Sequence, residues 1–221
     1  MYEQPYQGSL FLGLSINNNY PMSERYLSSA HTVYLNALNT YSRVLMFHVT
    51  LRLPENFSAS TNGLMSSFTT ALKKRIQRNL ENRRQQVSRV HHSNLHYVWC
   101  REVSSTHKRH FHVMLMVNGN SYRALGVFDS FEQHYLAGMV NCAWASALKL
   151  SHEQIKGLPH FTPSVVLIET QQIPSSLGYS LYGQFADNYE AGFHWLSYLC
   201  KLDTKEYGDG QRNFGCSSSS I

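Results

Sequence analysis

Charge is scarce in this sequence: Asp, Glu, Lys and Arg together make up 15% of 221 residues. So thin a supply disfavours a coiled coil or a long solvated helix, both of which need charged faces. Long apolar runs are missing too. Nothing approaches the ~20 residues that span a bilayer. The short apolar stretch at residues 10–16 has no Lys or Arg before it and fails as a signal peptide. Cys100, Cys142, Cys200 and Cys216 lie far apart with no CxxC pair, which excludes a zinc ribbon of the usual spacing and gives no disulfide framework. A GxxxxGK phosphate loop is absent, so an ATP-driven motor is not expected within this chain. These absences point to a soluble, intracellular protein with no membrane partner.

What the chain does have is apolar and aromatic content, 43% and 13%, enough for a real core and too much for disorder. Its length fits one domain. The net charge of +5 is unevenly spread. Residues 1–55 balance to zero, residues 56–123 carry +9 and residues 124–221 carry −4. Most of the middle excess comes from Lys73, Lys74, Arg75, Arg78, Arg83, Arg84 and Arg89. Phe68, Leu72, Ile76 and Leu80 recur every fourth residue through the same region, the mark of an amphipathic helix with its cations outward. A solvated face normally mixes signs, and this one has only Glu81, so contact with a phosphate backbone is the favoured reading. Such contact gives affinity without sequence choice.

Along the chain, residues 1–22 read as a loose arm, 26–41 as a helix and 44–53 (VLMFHVTLRL) as a strand stopped by Pro54. The basic helix follows over about 64–90. Residues 95–103 and 111–117 read as two strands of a hairpin joined by a polar connection. A helix over 131–148 comes next, then a short strand at 165–169 after Pro159 and Pro163. Residues 170–190 are rich in turn formers, 192–202 form a last helix, and the tail with its Ser run is expected to fray. One domain over 23–205 is therefore predicted, with an N-terminal arm at 1–22 and a C-terminal tail at 206–221. The class is α+β: a central antiparallel β-sheet with helices packed on one face.

The sharpest chemical feature is His110-Phe111-His112. Residues two apart on a strand share a face, so two imidazoles stand together. If the two strands pair, Glu102 sits across from them, and a His-His-Glu set with open positions can hold a divalent ion that polarises a phosphoryl oxygen. With twelve histidines in the chain a chance HxH is not rare. On the last helix Tyr198 and Lys201 are three apart and neighbours. A tyrosine hydroxyl, with an ordinary pKa of ~10, needs an activated phosphate and a nearby cation to act as a nucleophile. The plainer reading is an aromatic packed on the helix, its hydroxyl capped by Lys201.

His110-Phe111-His112 resembles the His-hydrophobe-His motif of HUH endonucleases, the rolling-circle replication initiators. Tyr198-Leu199-Cys200-Lys201 resembles their YxxK nucleophile motif, and LMFHVTLRL at 45–53 is similar to their first motif. More narrowly, RHFHVMLMVN at 109–118, YLCKLDTK at 198–205 and RNFGCS at 212–217 resemble the inovirus gene II-like group, the YagK/YfjJ C-terminal domain. This resemblance covers about residues 40–217. It implies a palm related to ferredoxin and RRM folds and a metal-dependent cut in single-stranded DNA at a replication origin of a phage or prophage. Tyr198 would form a 5′-phosphotyrosyl link and free a 3′-OH. His110, His112 and Glu102 would bind Mg²⁺ or Mn²⁺, and Lys201 would assist Tyr198. Lys108, Arg109 and the basic helix would hold DNA. A host helicase and polymerase in the bacterial cytoplasm are the implied partners, and no oligomeric state is implied.

Alternatives stay open at this point. Tyr179 or Tyr182, spaced YxxY, can supply a nucleophile instead. A basic DNA-binding or phage regulatory protein without catalysis explains the charge equally well. A metal-free 2H-type phosphoesterase would use His48 and Thr50, although His110-Phe111-His112 lacks the Ser or Thr its second motif requires.

Overall fold

The computed structural model describes residues 5–170 and 184–218. Five strands form one antiparallel sheet: β1 (Arg43–Arg52), β2 (His96–Val103), β3 (Arg109–Asn118), β4 (Pro159–Glu169) and β5 (Phe214–Cys216), in the order β4-β1-β3-β2-β5. The helices are α1 (Glu24–Thr40), α2 (Leu64–Arg84), α3 (Leu136–Leu148), the single turn α4 (His152–Ile155) and α5 (Gln184–Ser197). The α+β class and the antiparallel sheet are as expected. No helix among the described residues is long and apolar enough to cross a membrane.

The helices cover both faces of the sheet, not one. Leu45, Phe47, Val49 and Leu51 of β1 pack with Phe68, Leu72, Ile76 and Leu80 of α2 and with Trp144 of α3. Their alternates Val44 and Met46 pack with Leu27, Ala30 and Tyr34 of α1 and with Phe193 and Leu196 of α5. The reason lies in the central strands: β1 and β3 are apolar on both faces for most of their length, so each face needs a cover. Each large apolar side chain so buried contributes about 1.5–3 kcal/mol.

Boundaries differ from expectation where tertiary contacts decide. α2 stops at Arg84 because its apolar stripe ends at Leu80, leaving Arg89 beyond the helix. α3 begins only at Leu136. β4 starts at Pro159 and runs through Pro163, both expected to precede the strand. β4 is an edge strand, where a missing N–H costs no ladder bond, and its pairing to β1 shifts register between Phe47 and Val49, so residues 162–164 bulge opposite His48.

Neither terminus is loose over its described part. Pro5–Tyr6 pairs with Met22–Ser23, and Phe11, Leu14 and Ile16 are buried against α1 and α5. The tail folds back as β5 on the free edge of β2. What pins it is Arg101, whose side chain is 1% exposed. Its guanidinium donates to Asp209 Oδ2 at 2.6 Å and Oδ1 at 3.0 Å, to Asn213 Oδ1 at 3.1 and 2.9 Å, and to the Glu206 carbonyl at 3.1 Å.

Removing Asp209 therefore leaves a buried guanidinium short of its carboxylate. Asp209→Ala is expected to cost about 2–3 kcal/mol in urea unfolding, discounted because Asp209 is 18% exposed. Adding Arg101→Met to it should recover most of that loss; an Asp209→Ala variant as stable as wild type would mean the tail is not held this way.

Candidate metal and nucleophile site

Strand parity gathers this site. Since Leu45, Phe47, Val49 and Leu51 face α2, His48 and Thr50 of β1 face the α1/α5 side. The same parity on β3 places His110 and His112 there, and on β2 Cys100 and Glu102. Register completes the arrangement: Thr50 and Cys100 lie opposite His112 from either side, and Arg52 and Glu102 lie opposite His110. Glu102 thus stands across from the histidine pair, as the hairpin reading anticipates.

The imidazoles are oriented from behind. His110 Nδ1 lies 3.3 Å from the Lys108 carbonyl, which can only accept, so the proton sits on Nδ1 and the Nε2 lone pair is free. His112 Nδ1 lies 3.0 Å from His48 Nε2 and 3.3 Å from Thr50 Oγ1, and His48 Nδ1 lies 2.8 Å from Thr162 Oγ1 in the β4 bulge. Two proton orders satisfy this chain. In one, Thr162 donates to His48 Nδ1, His48 Nε2–H to His112 Nδ1 and His112 Nε2–H to His110 Nε2. In the other, which ligation needs, Thr162 accepts from His48 Nδ1–H and His48 Nε2 accepts from His112 Nδ1–H. His112 Nε2 is then a free lone pair, 3.2 Å from His110 Nε2 and 3.5 Å from Glu102 Oε2.

In that second order two imidazole lone pairs converge beside a carboxylate, an arrangement that a cation among them stabilises. Donor atoms of Glu102, His110 and His112 all fall within 4.8 Å of one another. Burial lowers the His112 pKa and outweighs the attraction of Glu102, and with His48, His110 and Lys201 also lowering it the value falls to about 3. Burial takes His48 to about 4 against the pull of Glu102. Both rings are neutral at pH 7, as ligation and its outer support require. This donor set fits a divalent ion, and its two nitrogens suit Mn²⁺ better than Mg²⁺.

The nucleophile candidate stands beside it. α5 ends at Ser197 and the chain tightens into a 3₁₀ turn, Tyr198–Cys200, so Tyr198 is not on the α-helix as expected. A 3₁₀ turn eclipses residues three apart, which lines up Tyr198 with Lys201 more closely than an α-turn would. Lys201 Nζ donates to the Tyr198 hydroxyl at 2.7 Å and lies 3.1 Å from Glu102 Oε2. The Tyr198 ring meets His112 edge-on, centroids 5.9 Å apart.

Lys205, not anticipated from sequence, takes the other carboxylate oxygen at 3.0 Å with a side chain that is 0% exposed. Burial by itself would raise the Glu102 pKa, yet Lys205, His112 and Lys201 bring it down to about 2. Burial opposes the charge on both lysines, and the Tyr198 bond and Glu102 hold Lys201 above its ordinary value, as Cys100 and Glu102 do Lys205. Lys205 falls within the YLCKLDTK segment, but nothing local marks it as a partner of Glu102. Thr162 had no sequence signal at all, since only the bulge aims it. Tyr20 was also missed; it is 37% exposed, edge-on to Tyr198 at 5.9 Å, with Lys201 Nζ 4.9 Å from its ring centre.

The expected DNA-contacting residues do not join this shelf. Lys73, Lys74, Arg75, Arg78, Arg83 and Arg84 lie on α2, across the sheet, and Arg89 follows it. Arg109 is held by Glu206 at 2.7 and 3.1 Å, and Lys108 pairs with Glu55 at 2.8 Å on the surface. Tyr179 and Tyr182 lie outside the described residues.

The sequence of residues 12–217 matches the family model of the YagK/YfjJ C-terminal domain. The chain belongs to this family. It is 28% identical over 202 residues to the uncharacterized protein YagK of Escherichia coli K12, covering 87% of this chain and 91% of that protein. It is 33% identical over 162 residues to the uncharacterized protein YfjJ of the same strain, covering 71% of each. Neither relative's name assigns an activity to the family, and no solved structure matches the chain.

Two outcomes follow for the metal-free and metal-loaded protein. Below its ordinary pKa of 6.5 a histidine charges in the unfolded chain, while the fold keeps His48 and His112 neutral to about 4 and 3. Their contribution is fully present above pH 6.5 and drains away as pH falls toward 3; that of Glu102 is present above 4.5 and lost toward 2. Urea midpoints in chelator should decline steadily below pH 6.5 and less steeply in His48→Gln; a midpoint flat from pH 7.5 to 4.5 would contradict this. Mn²⁺ at a hundredfold excess over its dissociation constant should add about 2.7 kcal/mol of stability. That gain should vanish in His110→Ala/His112→Ala, and His48→Ala should weaken Mn²⁺ binding by about 10–100-fold.

Proposed function

We propose that this protein cuts single-stranded DNA with Tyr198 as the nucleophile and rejoins it by the reverse step. The observation that carries the reading is the position of the Lys201 ammonium, shared between the Tyr198 hydroxyl at 2.7 Å and Glu102 at 3.1 Å. It ties the one candidate nucleophile among the described residues to a His-His-Glu donor set. A divalent ion held by His110, His112 and Glu102 Oε2 would supply Lewis-acid polarisation of a phosphoryl oxygen.

The remaining steps belong to the chain itself. Tyr198 forms the bond from its phenolic oxygen to phosphorus as the bond from phosphorus to the 3′ oxygen breaks. The phenolic proton passes to solvent, and the departing 3′ oxygen takes one up. The products are a 5′-phosphotyrosyl link and a free 3′-OH, whose attack on the link reverses the reaction. Lys201 stabilises the phenolate as it develops, and Lys205 fixes the opposite carboxylate oxygen so that Glu102 keeps its orientation. His48 and Thr50 hold the His112 ring, with Thr162 holding His48. The exposed ring of Tyr20 beside Tyr198 offers a platform for an unpaired base.

A metal-free phosphoesterase reading has one observation in its favour, the 3.0 Å contact between His48 and His112 with Thr50 alongside. Activity that persists in EDTA and requires His48 would select it. The decisive experiment incubates a labelled single-stranded oligonucleotide pool that includes phage and prophage origin sequences with wild type, Tyr198→Phe and His110→Ala/His112→Ala. Wild type with Mn²⁺ should give an SDS-resistant protein–DNA band that both variants lose by at least ~10³-fold. Salt-sensitive binding without any such band would sink the nuclease reading in favour of a DNA-binding protein without catalysis.

A further inference from the structure

Helix α2 carries cations that no ion pair among the described residues neutralises. Lys73, Lys74, Arg78 and Arg84 are exposed along it. Arg89 is exposed just past its end and is likewise in no ion pair among the described residues. Beside them a cleft of about 340 Å³ is lined by Arg75, Arg78, Arg83, Asn82, Gln86 and His134. Two of its guanidinium groups are already fixed: Arg83 donates to the Ser121 carbonyl at 2.8 Å, and Arg75 to Ser146 Oγ at 2.8 Å and the Ala71 carbonyl at 3.1 Å. Arg75 Nε is buried without a hydrogen-bond partner. Guanidinium and amide donors held in place in this way suit phosphate oxygens.

This face cannot touch the strand at Tyr198. Leu72, Ile76 and Leu80 pack on the sheet face opposite to the one that carries the histidines, so a sheet and the body of a helix intervene, on the order of 20 Å. The chemistry of the two faces differs as well. The shelf has Tyr20, Trp195 and Tyr198 on which bases can stack, whereas the tyrosines beside α2, Tyr97 and Tyr122, pack on the core and lie under Lys73 and Arg83 at 5.5 and 5.7 Å. Stacking platforms mark single-strand sites, and a row of cations whose neighbouring rings are packed on the core marks backbone contact. The cations from Lys73 to Arg84 stand on one rigid helix over about 16 Å, a fixed line better matched to the regular phosphates of a duplex than to a flexible strand.

We infer that the outer face of α2 is a second nucleic-acid site, which grips the phosphate backbone of double-stranded DNA flanking the strand presented to Tyr198. The inference rests on the nicking proposal for DNA as the polyanion. Its test does not depend on cleavage. Full-length protein is titrated by fluorescence anisotropy with a duplex of about 20 base pairs carrying no origin sequence, between 50 and 200 mM salt. Lys74→Ala/Arg78→Ala/Arg84→Ala/Arg89→Ala should bind at least ~100-fold more weakly at the lowest salt. Its plot of log affinity against log salt should be shallower by about 3.6, and each single substitution should reduce the slope by about 0.9. Adduct formation on an oligonucleotide of about 12 nucleotides should be unchanged in the quadruple variant. Duplex affinity and salt slope equal to wild type in the quadruple and single variants would overturn the second site. Absence of an adduct from wild type alongside the expected slope changes would remove the nuclease reading and leave this site standing.

Discussion

The carboxylate of Glu102 is the one counter-charge that two lysines and a histidine from separate parts of the chain share among the described residues. Lys201 arrives from the turn after α5 and Lys205 from the start of the tail, each taking one oxygen, while His112 approaches from the neighbouring strand. Remove the carboxylate and two buried ammonium groups are left facing each other, a loss far beyond that of a surface ion pair. The pair network therefore fixes where the C-terminal part of the chain enters the sheet. It also brings the Tyr198 hydroxyl to the donor set, because Lys201 is bonded to both. The same three charges hold the fold and place the candidate nucleophile beside the donor set.

Around that knot the sheet acts as a partition. Its central strands are apolar on both faces, so α1 and α5 must cover one side and α2 and α3 the other. The histidines and Tyr198 share the first side with aromatic residues, and the concentrated positive charge lies on the second. A sequence-adjacent grouping of cations and a spatially adjacent grouping of catalytic candidates are thus separate surfaces. The edge strands complete the design: β5 closes one edge using the buried Arg101, and the bulge in β4 turns Thr162 toward His48 at the other.

Much of the candidate site was legible because strand geometry is local. Period two places His110 and His112 together, and a hairpin between consecutive strands places Glu102 opposite them. The i, i+3 relation of Tyr198 and Lys201 held even though the expected α-helix gave way to a 3₁₀ turn, since both geometries bring such residues close. The Ser, Asn and Pro content of the tail and the first residues predicts loose segments. They dock because distant partners supply what composition does not show: Arg101 for Asp209 and Asn213, and α1 and α5 for Phe11 and Ile16. Pro159 and Pro163 suggested a break because their tolerance depends on being at a sheet edge, which is a property of strand order.

The sequence by itself determined the antiparallel α+β class, the shared face of the two histidines, the adjacency of Tyr198 and Lys201, and the charge of α2, all consequences of backbone periodicity over a few residues. Only the tertiary structure decided that the helices divide between two faces, that the cationic helix lies across the sheet from the donor atoms, and that Lys205 and Thr162 complete the site. Those outcomes depend on strand order and on which buried charge finds which counter-charge, and both are settled by contacts between residues far apart in the chain.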